Sequence, residues 1–336
     1  MALFSISDIR IVGVSAALPK QVVSNRDLKG ISEQDLELLI DTTGIENRRI
    51  AEKETCASDL CFAAAEKLLN ELHWKRDEID VLIFVTQTPD FQVPGNSMLL
   101  QEKLGLPTTC LALDVNQGCA GYVYGLSVLS AMMSSSGLKK GLLLVGDTIT
   151  KIIDGSDNST APIFSDAGTA TALEFDKNAK ALYYNLQTNG AKHDAIIVKD
   201  GGARNQSAGR GSLAMRGHDI FAFGLKEVAS NIHALLEYSK IDPHGIDYFV
   251  LHQANMLLNE SIRKKLGVDK EKVPNTLTKY GNTSCATIPV TMVSEINKAM
   301  RKNDLNLVMS GFGVGLSWGS VIVNLNGIIC PELIEL

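Results

Sequence analysis

Three residues carry the chemistry this sequence offers: a cysteine in a small-residue turn, a histidine at a strand end and an asparagine in a second turn. Cys119 stands in Asp114-Val-Asn-Gln-Gly-Cys-Ala-Gly121. Asp114-Val-Asn reads as the polar end of a strand, Gln-Gly as a tight turn, and the residues from Cys119 onward as a helix that opens with small side chains. A thiol at or near a helix amino terminus meets unpaired N–H groups and partial positive charge. Both are expected to favour thiolate over thiol and to offer donors to a developing oxyanion, as an acyl-carrying nucleophile requires. Glycine at 118 and 121 is expected to let a substrate approach the backbone. Taken alone, the segment fits a buried structural cysteine equally well.

His252 ends the run Ile246 to Asn255 (IDYFVLHQAN), at the carboxyl edge where open α/β sheets place their ligands. A lone strand-end histidine is more often a satisfied structural residue. Asn282 lies in Lys279-Tyr-Gly-Asn-Thr-Ser-Cys-Ala-Thr-Ile-Pro289, a turn before a helix, where capping is the ordinary role. The elements around these residues supply the link. Ile79 to Thr88 (IDVLIFVTQT) and Ile246 to Asn255 share an Ile-Asp start, a β-branched apolar run and a polar end, half a chain apart. Gly118 to Met133 and Cys285 to Met300 stand at the same offset, and each is followed by a glycine-containing strand, Gly141 to Gly146 and Leu305 to Gly311. This pattern predicts a duplicated unit. Superposing the halves puts Cys119 and Asn282 at matching helix starts, with His252 ending the strand beside them.

Strands alternating with helices predict βαβ units, parallel sheets and a layered α/β class. The stretch 185–216, rich in Gly, Asn, Ser and Ala, reads as an excursion covering a site opening. Ser310-Gly-Phe-Gly-Val-Gly-Leu-Ser-Trp-Gly-Ser320 is glycine-rich, but a strand follows it where a dinucleotide loop needs a helix. A hairpin-like turn is expected there, with backbone N–H groups near a bound acyl group.

The bulk numbers narrow the function class. The 336 residues allow two domains or one large double unit, and 45% apolar with 21% charged residues is an ordinary globular composition. A net charge of -6 argues against a nucleic-acid partner. The first residues lack a basic stretch followed by an apolar one, and no run approaches the roughly 18 apolar residues of a membrane span, so neither a secretory signal nor a membrane partner is expected. Six cysteines with no C-x-x-C pair suit free thiols in the cytoplasm and give no metal site.

Cys119 in D-V-x-x-x-C-A-G-Y, His252 in H-Q-A-N, Asn282 in Y-G-N-T-S and the closing G-F-G-x-G-x-x-W-G-S resemble the ketoacyl-ACP synthase III family in order and spacing along nearly the whole chain. Thr43-Gly-Ile45 with Arg48, and Phe164-Ser-Asp-Ala-Gly-Thr169, are similar to two further family segments, the second altered. The resemblance implies a thiolase-like α/β fold of five αβαβα layers, with a nucleophile half (1–175) and a half bearing His and Asn (176–336), paired as a homodimer. It also implies two stages without a cofactor: Cys119 takes an acyl group from a thioester, then malonyl-ACP loses carbon dioxide and its carbanion attacks that group to give 3-oxoacyl-ACP. His252 and Asn282 would donate to the enolate oxygen, and the backbone N–H groups of Cys119 and Val314 to the acyl-enzyme oxyanion. The family has glycine at the position of Val314, a departure that touches loop shape more than chemistry.

Other departures bear on the substrate. Positions where the family grips coenzyme A with Trp and Arg are Leu38, Thr42, Asn158 and Leu257. Charge-assisted hydrogen bonds are worth roughly 1.5–3 kcal/mol each, so the coenzyme A grip is expected to be weak. Arg263-Lys-Lys265 matches the family's docking patch for acidic acyl carrier protein. Val93-Pro94 replaces a Phe-Pro that closes the acyl pocket, which points to a longer or branched acyl group. Two rivals remain: an acyltransferase of the same fold that passes the acyl group to an amine or hydroxyl, and a non-catalytic scaffold subunit of a synthase. A cysteine hydrolase is disfavoured, since a basic docking patch has no use there.

Overall fold

The computed structural model describes residues 2–206 and 211–336. Residues 207–210, inside the expected covering excursion, lie outside the described residues. Two sheets organise the chain. The first has the strand order Ile334–Glu335, Ile9–Leu18, Ala167–Phe175, Lys140–Asp147, Val81–Val85 and Leu111–Val115. The second runs Ala2–Ile6, Leu182–Thr188, Ser317–Asn326, Asp304–Gly313 and Tyr248–Leu251. Each sheet takes one short terminal strand from the opposite end of the chain, which ties the halves together.

Helices Gly121–Ser136 and Thr287–Glu295 fill the space between the sheets. Ala57–Leu72 covers the outer face of the first sheet, and Gly217–Ser239 with Met256–Leu266 covers the second. The order is helix, sheet, helix, sheet, helix. Three apolar clusters correspond to it: one between the sheets, containing Val85, Leu126, Val250 and Met309, and one under each outer layer. The central helices are apolar on nearly every face because each meets a sheet on both sides.

The two halves repeat a topology. Val81–Val85 pairs in parallel with Lys140–Asp147 across the Gly121–Ser136 helix, and Tyr248–Leu251 pairs in parallel with Asp304–Gly313 across the Thr287–Glu295 helix. The sheets as wholes are mixed, which corrects the expectation of parallel sheets. Ser317–Asn326 returns antiparallel to Asp304–Gly313 after a turn far too short for a crossover, and Ala167–Phe175 is likewise antiparallel to Lys140–Asp147. The glycine-rich region is therefore a hairpin, as its following strand predicted. The stretch 185–216 also differs in part: its first residues complete the strand Leu182–Thr188. Only then does it leave the sheet, as a short turn and the small pair Ile196–Val198 with Leu213–Met215.

Candidate active site

Cys119 precedes the Gly121–Ser136 helix by two residues and is 6% exposed. Gly118 O accepts the Gly121 N–H at 2.6 Å, a turn that brings the sulfur to the helix start. The neighbouring glycines are needed for packing, which corrects the expected substrate approach. A Cβ on Gly121 would lie 2.7 Å from Val85 Cγ1, and one on Gly118 would lie 2.4 Å from Gln87 Oε1 and 3.0 Å from Val314 Cγ2. Protein atoms occupy the space that a substrate was expected to use.

The opposite wall is the Asp304–Gly313 strand and its turn. A Cβ on Gly311 would meet Ala120 Cα at 2.8 Å, and one on Gly313 would meet Cys119 Cβ at 2.7 Å and Sγ at 2.8 Å. Gly313→Ala is therefore expected to displace the nucleophile. A shift of that order costs about 10²-fold in rate, to be read as the rate of covalent acylation by intact-protein mass spectrometry. An unchanged rate would show that the sulfur need not stay against this turn.

Electrostatics at the sulfur differ from the expectation based on the helix end. Burial pushes the Cys119 thiol up to about 11, and the buried Asp147 carboxylate acts in the same direction. The backbone N–H groups of Val314 and Cys119 and the Ser284 hydroxyl pull the other way without overcoming burial. The Cys119 side chain therefore rests as a thiol at neutral pH. Cys285 is more firmly held as a thiol: it is fully buried, its sulfur lies 3.1 Å from Asp147 Oδ2, and its pKa is raised well above the usual range.

His252 follows the Tyr248–Leu251 strand directly, with its N–H donating to Ser310 O at 2.8 Å. Its ring packs edge-on against Phe312, centroids 5.3 Å apart, and Nδ1 is 2.7 Å from Thr287 Oγ1. Only 2% of the residue is exposed, and burial lowers its pKa to about 3, so the imidazole is neutral. Asn282 is fixed by its backbone, whose N–H donates to Ile163 O at 3.0 Å while its carbonyl accepts the Ser165 N–H at 2.9 Å. Its Oδ1 accepts the Ser284 N–H at 2.9 Å. With that oxygen engaged, the amide nitrogen is the group left to donate.

Cys119, His252 and Asn282 line one cavity of ≈260 Å³ with Phe312, Gly313 and Leu258. Ile196 and Met215, from the small strand pair, also line it, so the described part of the covering segment forms part of the wall. The site combines an acylatable thiol, a neutral imidazole and a carboxamide in an apolar enclosure.

Two family models match this chain: "3-Oxoacyl-[acyl-carrier-protein (ACP)] synthase III" over residues 113–190 and its C-terminal counterpart over 236–325. They span the segments holding Cys119, His252 and Asn282. A beta-ketoacyl-[acyl-carrier-protein] synthase III of Streptococcus mutans is 35% identical, over 92% of this chain and 96% of its own length. The chain belongs to the 3-oxoacyl-[acyl-carrier-protein] synthase III family. A synthase III of Xanthomonas oryzae is 33% identical over 94% of this chain and 97% of its own. The crystal structure of a 3-oxoacyl-(acyl-carrier protein) synthase from Burkholderia xenovorans superposes with a TM-score of 0.95 at 36% identity, covering 99% of both chains. The fold is thus the thiolase-like α/β fold of five αβαβα layers.

Two of the four positions expected to have lost coenzyme A contacts adjoin the cavity lining. Leu257 is next to Leu258, and Asn158 next to Ser159. Leu38 is on helix Glu33–Thr43, which packs against Met256–Leu266. Leu38 and Leu257 are 63% and 50% exposed. The basic tripeptide ends the Met256–Leu266 helix, where cations also suit the helix dipole. Arg263 pairs with Glu260 at 3.0 Å and donates to Val268 O at 2.6 Å, and Lys265 Nζ donates to Leu225 O at 2.7 Å. Lys264 is exposed. Val93 is 83% exposed and lies outside the Cys119 cavity, on a second cavity of ≈1000 Å³ that also touches Gln87 and Thr88.

Reading the sequence missed three supporting residues. Thr287 contacts His252, Ser284 contacts Cys119, and Gln253 pins the turn before Asn282 by accepting the Thr276 N–H at 3.1 Å. Thr287 and Ser284 lie in the segment that carries Asn282, but nothing in their types marked them out. Ser284 gave no signal of its φ of 52°, a left-handed conformation uncommon for a side-chain-bearing residue.

Proposed function

We propose that this synthase III relative performs a decarboxylative condensation: Cys119 takes an acyl group from a thioester and passes it to malonyl-ACP. The observation that carries this reading is the shared cavity of Cys119, His252 and Asn282, with Nδ1 of His252 and Oδ1 of Asn282 both engaged by the protein. In the first stage the Cys119 thiolate attacks the donor carbonyl, aided by the backbone N–H groups of Cys119 and Val314, and the donor thiol leaves with a proton. In the second, the malonyl carboxylate leaves as carbon dioxide. The resulting enolate, held by donors from His252 and Asn282, attacks the acyl carbon and frees the Cys119 sulfur. The nucleophile belongs to the half 1–175 and the donors to 176–336.

An amine- or hydroxyl-acylating enzyme would need a base for its acceptor. His252, buried and neutral with a pKa near 3, is poorly suited to that task.

The priming donor is read as an acyl carrier protein, because Leu38, Thr42, Asn158 and Leu257 offer neither ring stacking nor positive charge to coenzyme A. Arg263, Lys264 and Lys265 form the docking patch, and their charge persists despite the internal contacts of Arg263 and Lys265. A panel of acyl-ACP and acyl-CoA donors, read by the mass added to Cys119, tests both points. Faster acylation from acyl-ACP is expected, together with a roughly tenfold rise in KM for malonyl-ACP in Lys264→Glu/Lys265→Glu, as loss of charge complementarity predicts. Rapid labelling by acetyl-CoA would overturn the donor reading. The same panel tests whether Val93 and the adjoining large cavity admit a long or branched chain.

A homodimer through Leu111–Val115 completes the reading. This strand is an unpaired edge of the first sheet, and Leu111 and Leu113 are 43% and 42% exposed. Leu113→Lys is expected to produce monomers in sedimentation, because a charge on the edge strand blocks its pairing with a second copy. An unchanged dimer would place the interface elsewhere. Among the described residues no helix is long and apolar enough to cross a membrane. The cytoplasm, where carrier-protein thioesters are made, is the proposed location.

A further inference from the structure

The condensation proposed above asks His252 to donate a hydrogen bond into the cavity. A neutral imidazole has one N–H, so everything depends on which ring nitrogen carries it. Burial keeps the ring neutral through the working pH range, and both tautomers are therefore open to it. Among the described residues the ring's hydrogen-bond partner is Thr287, whose Oγ1 lies 2.7 Å from Nδ1 and 3.2 Å from Ser284 O.

Two arrangements of one hydroxyl proton are possible. If Thr287 donates to the Ser284 carbonyl, Nδ1–H donates to Thr287 and Nε2 faces the cavity as a bare acceptor. If Thr287 donates to Nδ1, the ring proton sits on Nε2. The contact to the Ser284 carbonyl decides between them. Hydroxyl donors reach oxygen acceptors at about 2.5–3.0 Å, whereas the Nδ1 contact has a length open to either donor. The 3.2 Å contact to Ser284 O is long for a hydroxyl donor, so the Thr287 proton is better placed on the 2.7 Å contact to Nδ1.

We propose that Thr287 is a positioning residue that donates its hydroxyl proton to Nδ1 of His252 and so fixes the tautomer with Nε2–H directed at the enolate oxygen. The surroundings hold Thr287 in place. It is 1% exposed, at the first turn of the Thr287–Glu295 helix, and its carbonyl accepts the Thr291 hydroxyl at 2.8 Å. Phe312, edge-on to the ring, offers no hydrogen bond that would compete for the proton. The stage that forms the enolate therefore depends on Thr287, whereas attack by Cys119, whose own donors are Val314, Cys119 and Ser284, does not.

The inference rests on the condensing reading, and the test separates the two. Protein labelled with nitrogen-15 in histidine, with the His252 signals identified by their loss in His252→Asn, reports the tautomer whatever the substrate. Unprotonated Nδ1 and protonated Nε2 are expected in the wild type, with that pattern lost in Thr287→Val and restored in Thr287→Ser. In turnover, Thr287→Val is expected to slow carbon dioxide release from malonyl-ACP by about 10–100-fold, the loss of an enforced donor, and to change Cys119 acylation by less than about threefold. A protonated Nδ1 in the wild type would overturn the proposal. So would equal loss of both stages in Thr287→Val with the nitrogen pattern unchanged, which a packing role alone would give. A wild type that showed the expected tautomer but released no carbon dioxide would sink the condensing reading and leave the tautomer assignment standing.

Discussion

Cys119→Ser is expected to gain no acyl mass from any thioester donor, even though five other cysteines remain. Cys61 and Cys285 are fully buried with pKa values raised by that burial, and Cys330 is pushed up to about 12. Cys110, held at about 11, lies at the foot of the Leu111–Val115 strand, and neither it nor the half-buried Cys56, which lines the second cavity, lines the Cys119 cavity with its His252 and Asn282. Serine keeps the shape of the side chain, so the Gly313 turn and the Val314 N–H should stay in place, and the loss is a loss of nucleophile. Overall condensation should fall by at least about 10³-fold, as when a covalent nucleophile is removed from other acyl-transfer sites. Carbon dioxide release from malonyl-ACP should survive, since Cys119 is not among its side-chain donors. The pH profile of wild-type acylation adds a second reading. A thiol that titrates at about 11 is almost wholly protonated at pH 7. Its thiolate, and the acylation rate with it, should rise about tenfold per pH unit from 7 to 10, on the chemical dependence of attack on thiolate. Mass added to Cys119→Ser at the wild-type rate would remove Cys119 from the mechanism.

The second large effect is on the other stage. His252→Ala and Asn282→Asp should each slow carbon dioxide release by about 10²–10³-fold, the cost of losing one donor aimed at a developing oxyanion. Aspartate is chosen at 282 because it keeps an oxygen for the Ser284 N–H and so preserves the turn that brings the Ser284 hydroxyl to Cys119. It also replaces the donating NH₂ with negative charge. His252→Ala leaves Thr287 without its ring partner but keeps the Val314, Cys119 and Ser284 donors at the sulfur. Acylation measured by mass should therefore fall far less than decarboxylation in both variants. Equal losses in the two stages would show that His252 and Asn282 serve the cavity's shape.

The two predictions divide the reaction along the division of the chain, with the thiol from one half and the donors from the other. That division was visible in the repeated Ile-Asp runs and in the matching small-residue helix starts, because a strand buried on both faces must be written as an apolar β-branched run wherever it occurs. The Cys119, His252 and Asn282 segments were equally visible, since each needs a turn at a sheet edge and turns are written in glycine and small polar residues. The hairpin reading of the closing glycine-rich region also followed from sequence order, because a strand and not a helix comes after it.

What only the tertiary structure decided concerns burial and orientation. Sequence placed Cys119 at a helix end and predicted a thiolate; the fold buries it beside Asp147, and desolvation outweighs the nearby donors. Glycines 118 and 121 were legible as required, but their reason was not, because the atoms that fill their space come from Gln87, Val314, Val85 and Cys285 in distant segments. The mixed character of the sheets depends on which strands meet, a choice made by long-range pairing that local pattern does not record. Thr287 shows the limit most clearly: a threonine at a helix start is unremarkable in sequence, and its meaning arises only when a strand from 35 residues earlier ends with His252 Nδ1 at its hydroxyl. Periodicity and turn chemistry are local properties, so the chain states them itself, whereas desolvation, tautomer and void filling belong to contacts that exist only once it has folded.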